Sequence, residues 1–142
     1  MNTPTSNARK LVYTTTMPIR WGDMDAMEHV NNTVYFRYLE QARVEWFAHL
    51  GYPINAKQEA PVIINASCTF LMPLTYPGNI VVRMYLGRAG NSSVESYYEI
   101  LREGDDEEKV VAEGASKIVW FNPQTGKSVP LPKKVRDLSG DD

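Results

Sequence analysis

The chain has 142 residues, 43% of them hydrophobic, and a formal net charge of −2, which predicts one domain with enough apolar content to bury a core. Its basic residues are scattered, leaving no footprint for a nucleic-acid backbone, and no apolar run approaches the roughly 18 residues of a membrane span. The lone cysteine, Cys68, rules out an internal disulfide, and with an N-terminal stretch that has no apolar signal-peptide core it predicts a cytoplasmic protein.

Residues 1–9 are polar and expected to be loose, as is the tail from Leu138, so the ordered core is expected over about residues 11–131. From Leu11 to Trp21 the chain alternates, with Tyr13, Thr15, Met17, Ile19 and Trp21 on one face. This is a strand pattern, and Pro18 predicts an edge position or a bulge. The spacing of Val34, Tyr35, Tyr38, Leu39, Ala42, Trp46, Phe47 and Leu50 predicts a helix over 33–50. Asn31 or Asn32 can cap its start, and Gly51 followed by Pro53 ends it. Arg37, Glu40, Gln41, Arg43 and Glu45 confine its polar surface to a narrow stripe. A helix this aromatic needs a broad cover, and a sheet is the natural one.

The rest of the chain supplies that sheet. Residues 61–71, 80–88, 94–101 and 110–121 are rich in β-branched and aromatic residues. PLTYPGN, GRAGNSS, REGDDEEK and NPQTGK carry turn chemistry between or after them. Cys68 falls inside the first of these runs and reads as an inert core thiol. A strand, a helix and four further strands with no intervening helices predict an α+β fold, in which one long helix packs on a five-stranded antiparallel meander.

The titratable residues concentrate just ahead of the helix, in RWGDMDAMEHVNN, where Asp23, Asp25, Glu28 and His29 lie within seven positions. Backbone N–H groups at a helix start have no intrahelical partner, and the helix dipole favours negative charge there. Asp25 can therefore serve as part of an acidic cap worth about 1 kcal/mol. Equally, it can work beside a free N–H that polarises a carbonyl, attacking that carbonyl or activating water. A metal site built from these four residues matches no standard ligand spacing. His29 alone fits a hydrogen-bonded structural histidine, and His49 a favourable charge near the helix end.

GDMDAMEHVNNTVYFRYLEQAR resembles the signature of the 4-hydroxybenzoyl-CoA thioesterase-like acyl-CoA thioesterases, whose pattern is Asp-x-Asp-x-x-Gly-His-Val-Asn-Asn followed by an aromatic residue on the helix. Asp23, Asp25, His29, Val30, Asn31, Asn32 and Tyr35 fall on it. TFLMPLTYPGNIVV and NSSVESYYEI extend the likeness over roughly residues 11–131. The resemblance implies the hotdog fold, with the helix wrapped by the sheet, sheets paired edge to edge in a homodimer, active sites at the dimer interface, and dimers that often pair into tetramers.

The same resemblance implies that Asp25 is the catalytic carboxylate, acting on the thioester as a nucleophile or as a base on water. It implies that the backbone N–H of Asn32 holds the thioester oxygen, and that His29 and Asn31 orient the loop or the attacking water. Tyr35 then lines the acyl pocket or belongs to the core. Ser92 and Ser93 lie near the pantetheine arm or form an ordinary turn, and Arg88 meets the nucleotide phosphates or is a surface cation. Acyl-CoA is the implied substrate, CoA being part of it, with no metal and no separate cofactor. Thiolate is a good leaving group, so a thioester needs little further catalysis.

One position departs from the pattern. Glu28 stands where the family usually has glycine, which suggests a backbone with positive φ that glutamate would resist at a cost of about 1 kcal/mol or more. It reads as a tolerated variant, a weakened enzyme or a change of specificity, the first being favoured. Competing functions are hydrolysis of acyl groups on acyl carrier protein, against which the acidic balance argues, and a non-catalytic acyl-CoA-binding or scaffold protein. A hydratase fits poorly, since three residues separate Asp25 from His29.

Overall fold

The computed structural model describes residues 8–104 and 109–142. In chain order these form β1 (Lys10–Pro18), a 3₁₀ turn (Trp21–Asp23), α1 (Asn32–Leu50), β2 (Ala60–Phe70), β3 (Asn79–Ala89), β4 (Ser93–Arg102), β5 (Val110–Asn122), β6 (Lys127–Ser128) and α2 (Lys133–Asp137). The sheet order is β1-β3-β4-β5-β2, antiparallel throughout, and β6 pairs with β5. This is the predicted α+β hotdog arrangement with a sixth, two-residue strand added. Strands β3, β4 and β5 meander as expected. β2 does not join β3, its neighbour in sequence, but crosses to the far side and pairs with β5, from Ala60 opposite Phe121 to Phe70 opposite Ala112. No helix among the described residues is long and apolar enough to cross a membrane.

Alternation accounts for the core. Ile80, Val82, Met84 and Leu86 of β3, with Val94 and Ile100 of β4, are fully buried on the face that meets the helix. Helix α1 lays Tyr35, Leu39, Ala42 and Trp46 into that face. Gly51 ends the helix in the left-handed conformation at φ 93°, its N–H donating to the Ala48 carbonyl at 3.0 Å and the Tyr52 N–H to Phe47 at 2.8 Å. β1 lies at one edge and carries a bulge between Leu11 and Tyr13, which is where a strand containing Pro18 belongs.

Four expectations are corrected. Trp21 does not continue the buried face of β1: the chain leaves the strand at Pro18, and Trp21 opens the 3₁₀ turn with 74% of its surface exposed. Arg43 is not on the polar stripe of α1. It is buried, and its Nη1 donates to the Tyr98 hydroxyl at 3.5 Å, which in turn contacts the hydroxyls of Ser96 and Ser116 at 2.8 Å. The C-terminal tail is not loose. Gly140 N–H donates to Gly87 at 2.7 Å, the N–H groups of Asp141 and Asp142 donate to the Ala8 carbonyl, and Arg9 pairs with Asp142 at 3.4 Å. Ala8 and Arg9, at the end of the supposedly loose N-terminal stretch, are thus fixed by the tail; residues 1–7 lie outside the described residues. So do residues 105–108, in the turn read from REGDDEEK. Cys68 is half-buried on β2, and burial pushes its thiol pKa up, consistent with an inert role.

Candidate active site

The site is built on a small hairpin between the 3₁₀ turn and α1. Met24 and Val30 face each other as an isolated antiparallel bridge, and residues 25–28 make the turn between them. The Asp25 carbonyl accepts from Glu28 N–H at 2.9 Å, and Asp25 N–H donates to the His29 carbonyl at 2.9 Å. Closing a tight reversal of this kind calls for one left-handed residue. That residue is Glu28, at φ 62°, the one non-glycine with positive φ among the described residues. The suspected backbone conformation is therefore present, occupied by glutamate.

The turn holds the Asp25 side chain by both oxygens. Met27 N–H donates to Oδ1 at 2.9 Å, and the Asn31 side-chain amide donates to Oδ2 at 3.1 Å. Asp25 nevertheless remains exposed, so the carboxylate is oriented without being shut off from a substrate. Asn31 is the cap of α1, settling the choice between the two asparagines. Its Oδ1 accepts from Thr33 N–H at 2.9 Å and from the Thr33 hydroxyl at 2.6 Å. Val34 N–H is taken by the Asn31 carbonyl at 2.9 Å. Among the described residues no acceptor meets the N–H of Asn32, the first residue of the helix, and it is left as a free donor at the positive end of the dipole.

Asp23 is the anchor of this hairpin. Its Oδ2 accepts from the Tyr38 hydroxyl at 2.7 Å and from Arg20 N–H at 2.9 Å, while its carbonyl accepts from Asn31 N–H at 3.0 Å. Burial, and then the hydrogen bond to the Asp23 carboxylate, raise the Tyr38 phenol far above its ordinary pKa. Asp23 thus shapes the turn, and Tyr38, one of the apolar-spaced residues of α1, is its partner.

Beside the free N–H lies a cleft of about 180 Å³ lined by His29, Val30, Asn32, Tyr35 and the segment Phe70–Pro73. Its wall is apolar: Leu71 and Met72 are exposed, and the Tyr35 ring meets Phe70 edge-on at 5.0 Å. Tyr35 is 2% exposed, and burial raises its phenol pKa. It therefore belongs to the core and to the cleft floor together. The residues of TFLMPL that end β2 supply a lining that their apolar, turn-rich composition could have signalled.

Ser92, Ser93 and Arg88 are not brought to this cleft within one chain. The hairpin is tied to the start of β3, since Ile19 N–H donates to Gly78 and Val30 N–H to Leu74, each at 2.8 Å. Arg88 is near the other end of β3, about 30 Å away at 3.3 Å per residue, and Ser93 begins β4 beside it. His49 is also remote, near the C-terminal end of α1, where its ring lies 5.8 Å from that of Tyr13.

Comparison with known proteins gives this arrangement its family. The sequence profile of the thioesterase-like superfamily matches residues 19–138. A solved structure of a proposed thioesterase from Pseudomonas aeruginosa is 40% identical, with a TM-score of 0.86 covering 90% of this chain and 98% of that one. A proposed acyl-CoA thioesterase from Xanthomonas campestris is 34% identical, with a TM-score of 0.71 over 78% of this chain and 93% of its own. A curated relative from Aquifex aeolicus, described as a proposed esterase, is 27% identical over 126 residues, covering 87% of this chain and 94% of the relative. The chain belongs to the thioesterase-like superfamily, and the reaction that goes with it is hydrolysis of a thioester.

Proposed function

We propose that the protein is an acyl-CoA thioesterase in which Asp25 supplies the reacting carboxylate and the N–H of Asn32 binds the thioester oxygen. The observation that carries this reading is the pairing of a free N–H at the helix mouth with a carboxylate oriented by Met27 N–H and the Asn31 amide. The thioester carbonyl oxygen points at Asn32 N–H and into the positive end of α1, which draws electrons from the carbonyl carbon. Asp25 either removes a proton from a water that attacks that carbon, or attacks it directly to form a mixed anhydride that water then cleaves. In both cases the oxyanion collapses, the carbon–sulfur bond breaks, and CoA leaves as a thiolate that takes up a proton. The acyl group leaves as a carboxylic acid. Glu28 does not stand against this, because the turn it closes keeps Asp25 and Asn31 within hydrogen-bonding distance.

The active unit is a homodimer joined through β2. β2 is an open edge of 11 residues, and Val62, Ile64 and Phe70 expose 37%, 61% and 39% of their surface along it. An edge this long and apolar invites pairing with another strand. Antiparallel pairing of two β2 edges lays the Ala60 end of one beside the Phe70 end of the other. Ala60 neighbours Phe121 of β5, and Val119 of β5 neighbours Ser93 of β4. The Ser92–Ser93 end of a second copy therefore moves to the side of this chain's cleft, where it can meet the pantetheine arm, with Arg88 beyond it toward the phosphates. Phe36 and Val44, exposed on the outer side of α1, are the surface that pairing of two dimers would cover.

Release of free thiol from short, medium, long and aromatic acyl-CoAs tests the reading. Turnover of at least one acyl-CoA well above that of the same acyl group on acyl carrier protein is expected. Binding of acyl-CoA with no thiol released from any of them would replace the enzyme by a binding protein.

A further inference from the structure

The hairpin that carries Asp25 is held from below by the segment Leu74–Gly78, which links β2 to β3. Two of its carbonyls take the chain on either side of the hairpin: Gly78 accepts from Ile19 N–H and Leu74 from Val30 N–H, each at 2.8 Å. Two others face a single side chain. Arg102, at the end of β4, donates from Nη1 to the Thr75 carbonyl at 3.0 Å and from Nη2 to the Pro77 carbonyl. The space for the guanidinium is made by residue 78 being glycine, since a Cβ there would lie 2.8 Å from Cζ of Arg102. Neighbouring bonds brace the same corner: Glu103 N–H donates to the Asn79 carbonyl at 2.9 Å and the Asn79 amide to Glu103 Oε1 at 3.0 Å.

We propose that Arg102 is a positioning residue for the hydrolysis, setting the height of the Leu74 carbonyl and, through Val30, the placement of Asn31 and Asn32 against Asp25. This rests on the catalytic reading of Asp25 and Asn32. The link is short. Val30 is bonded to Leu74 on one side and bridged to Met24 on the other, and its neighbours in sequence are His29, whose carbonyl holds Asp25 N–H, and Asn31, whose amide holds the Asp25 carboxylate. Movement of the Leu74–Gly78 segment is thereby transmitted to both reacting groups. A planar fork with two N–H groups is suited to hold two carbonyls at a fixed separation, which a lysine ammonium on a flexible stem does not do. Displacements of about 1 Å at a reacting centre are enough to cost up to roughly a hundredfold in rate.

The test compares Arg102→Ala and Arg102→Lys with wild type in thiol release, thermal melting and deuterium exchange. Both variants are expected to lose about tenfold in kcat with KM changed by less than about twofold. Millimolar guanidinium is expected to restore most of the kcat of Arg102→Ala while leaving wild type and Arg102→Lys unchanged, an outcome that general destabilisation does not produce. Exchange in residues 24–33 is expected to rise in both variants while β3 to β5 keep their protection. If Arg102→Ala does not fold, Arg102→Lys carries the same kcat and exchange expectations. Variants with wild-type kcat, or with a loss that guanidinium leaves untouched and exchange that rises across the whole sheet, overturn the proposal. If the wild-type protein releases no thiol, the function fails separately, and local exchange at residues 24–33 still decides whether Arg102 sets the hairpin.

Discussion

The side-chain amide of Asn31 donates to Oδ2 of Asp25 at 3.1 Å while its carbonyl oxygen caps α1 through Thr33 N–H at 2.9 Å. One residue thus fixes the carboxylate and the helix start against each other. Asn31→Asp separates the two duties, because aspartate caps a helix as well as asparagine does but has no N–H to offer Asp25 and sets a second negative charge beside it. Melting within a few degrees of wild type and a fall of about tenfold or more in kcat are the expected result. Unchanged kcat would show that the amide does not matter to Asp25. Asn31→Ala removes the cap as well and is expected to cost about 1 kcal/mol in stability besides.

Glu28 holds a left-handed conformation at φ 62°, which costs a side-chain-bearing residue roughly 1 kcal/mol relative to glycine. Part of that is offset by the greater freedom of glycine in the unfolded chain. Glu28→Gly is therefore expected to stabilise the protein by about 0.5 kcal/mol, read as a higher urea midpoint at unchanged m-value, with kcat kept within about twofold. A lower midpoint, or a large change in kcat, would mean that the glutamate side chain has a role of its own.

Tyr38 is 6% exposed and donates to Asp23 Oδ2 at 2.7 Å, and both burial and that bond raise its pKa in the folded state. Between pH 10, where the unfolded chain ionises it, and its higher folded value, the native state binds one proton more than the unfolded state. Stability from this group is complete below pH 10 and declines above it, by at most about 1.4 kcal/mol per pH unit. Tyr85, whose hydroxyl donates to Glu99 at 2.6 Å and whose pKa is pushed up to about 12, acts in the same direction. Tyr38→Phe is expected to be about 1 kcal/mol less stable at pH 7 and to show a shallower loss of stability between pH 10 and 11. Parallel curves for the two proteins in urea titrations would contradict this assignment.

The dimer proposed through β2 has its own test. Ile64 is 61% exposed at the bulge of that edge strand, between Ile63 and Asn65, and lysine on an edge resists pairing with another chain. Ile64→Lys is expected to sediment as a monomer and to lose at least about tenfold in thiol release, because Ser92, Ser93 and Arg88 of a second copy no longer reach the cleft. A fully active monomer would place the whole site within one chain.

What could be read from the residues was mostly local. The helix, its stop at Gly51, the strand runs and the left-handed position at Glu28 follow from periodicity, turn chemistry and the family pattern, each contained within a few residues. Most of what the residues do not disclose depends on contacts far apart in sequence, Trp21 being a local exception. Arg43 is charged and its position in the sequence groups it with the polar residues of α1, yet Tyr98 lies 55 residues away to receive it. β2 passes over β3, its neighbour in sequence, for β5, and the tail is fastened to Ala8 across almost the whole chain. Trp21 follows the alternation of β1 but falls after the chain has turned. The candidate site divides in the same way. Asp25 and Asn31 are bonded to each other, and His29, Asn32 and Tyr35 line the cleft beside them, because all five are neighbours on one hairpin and one helix. Ser92, Ser93 and Arg88 sit at the far end of the sheet, and only the proposed dimer would bring those of a second copy to this cleft.

The central claim is that Asp25 is the reacting carboxylate, and the most direct measurement is thiol release by wild type and Asp25→Asn on the best acyl-CoA found. The substitution preserves shape and removes the charge. A fall of at least about a hundredfold in kcat, with melting and acyl-CoA binding retained, is the expected result. Turnover that survives the substitution would put the catalytic group elsewhere and contradict the account.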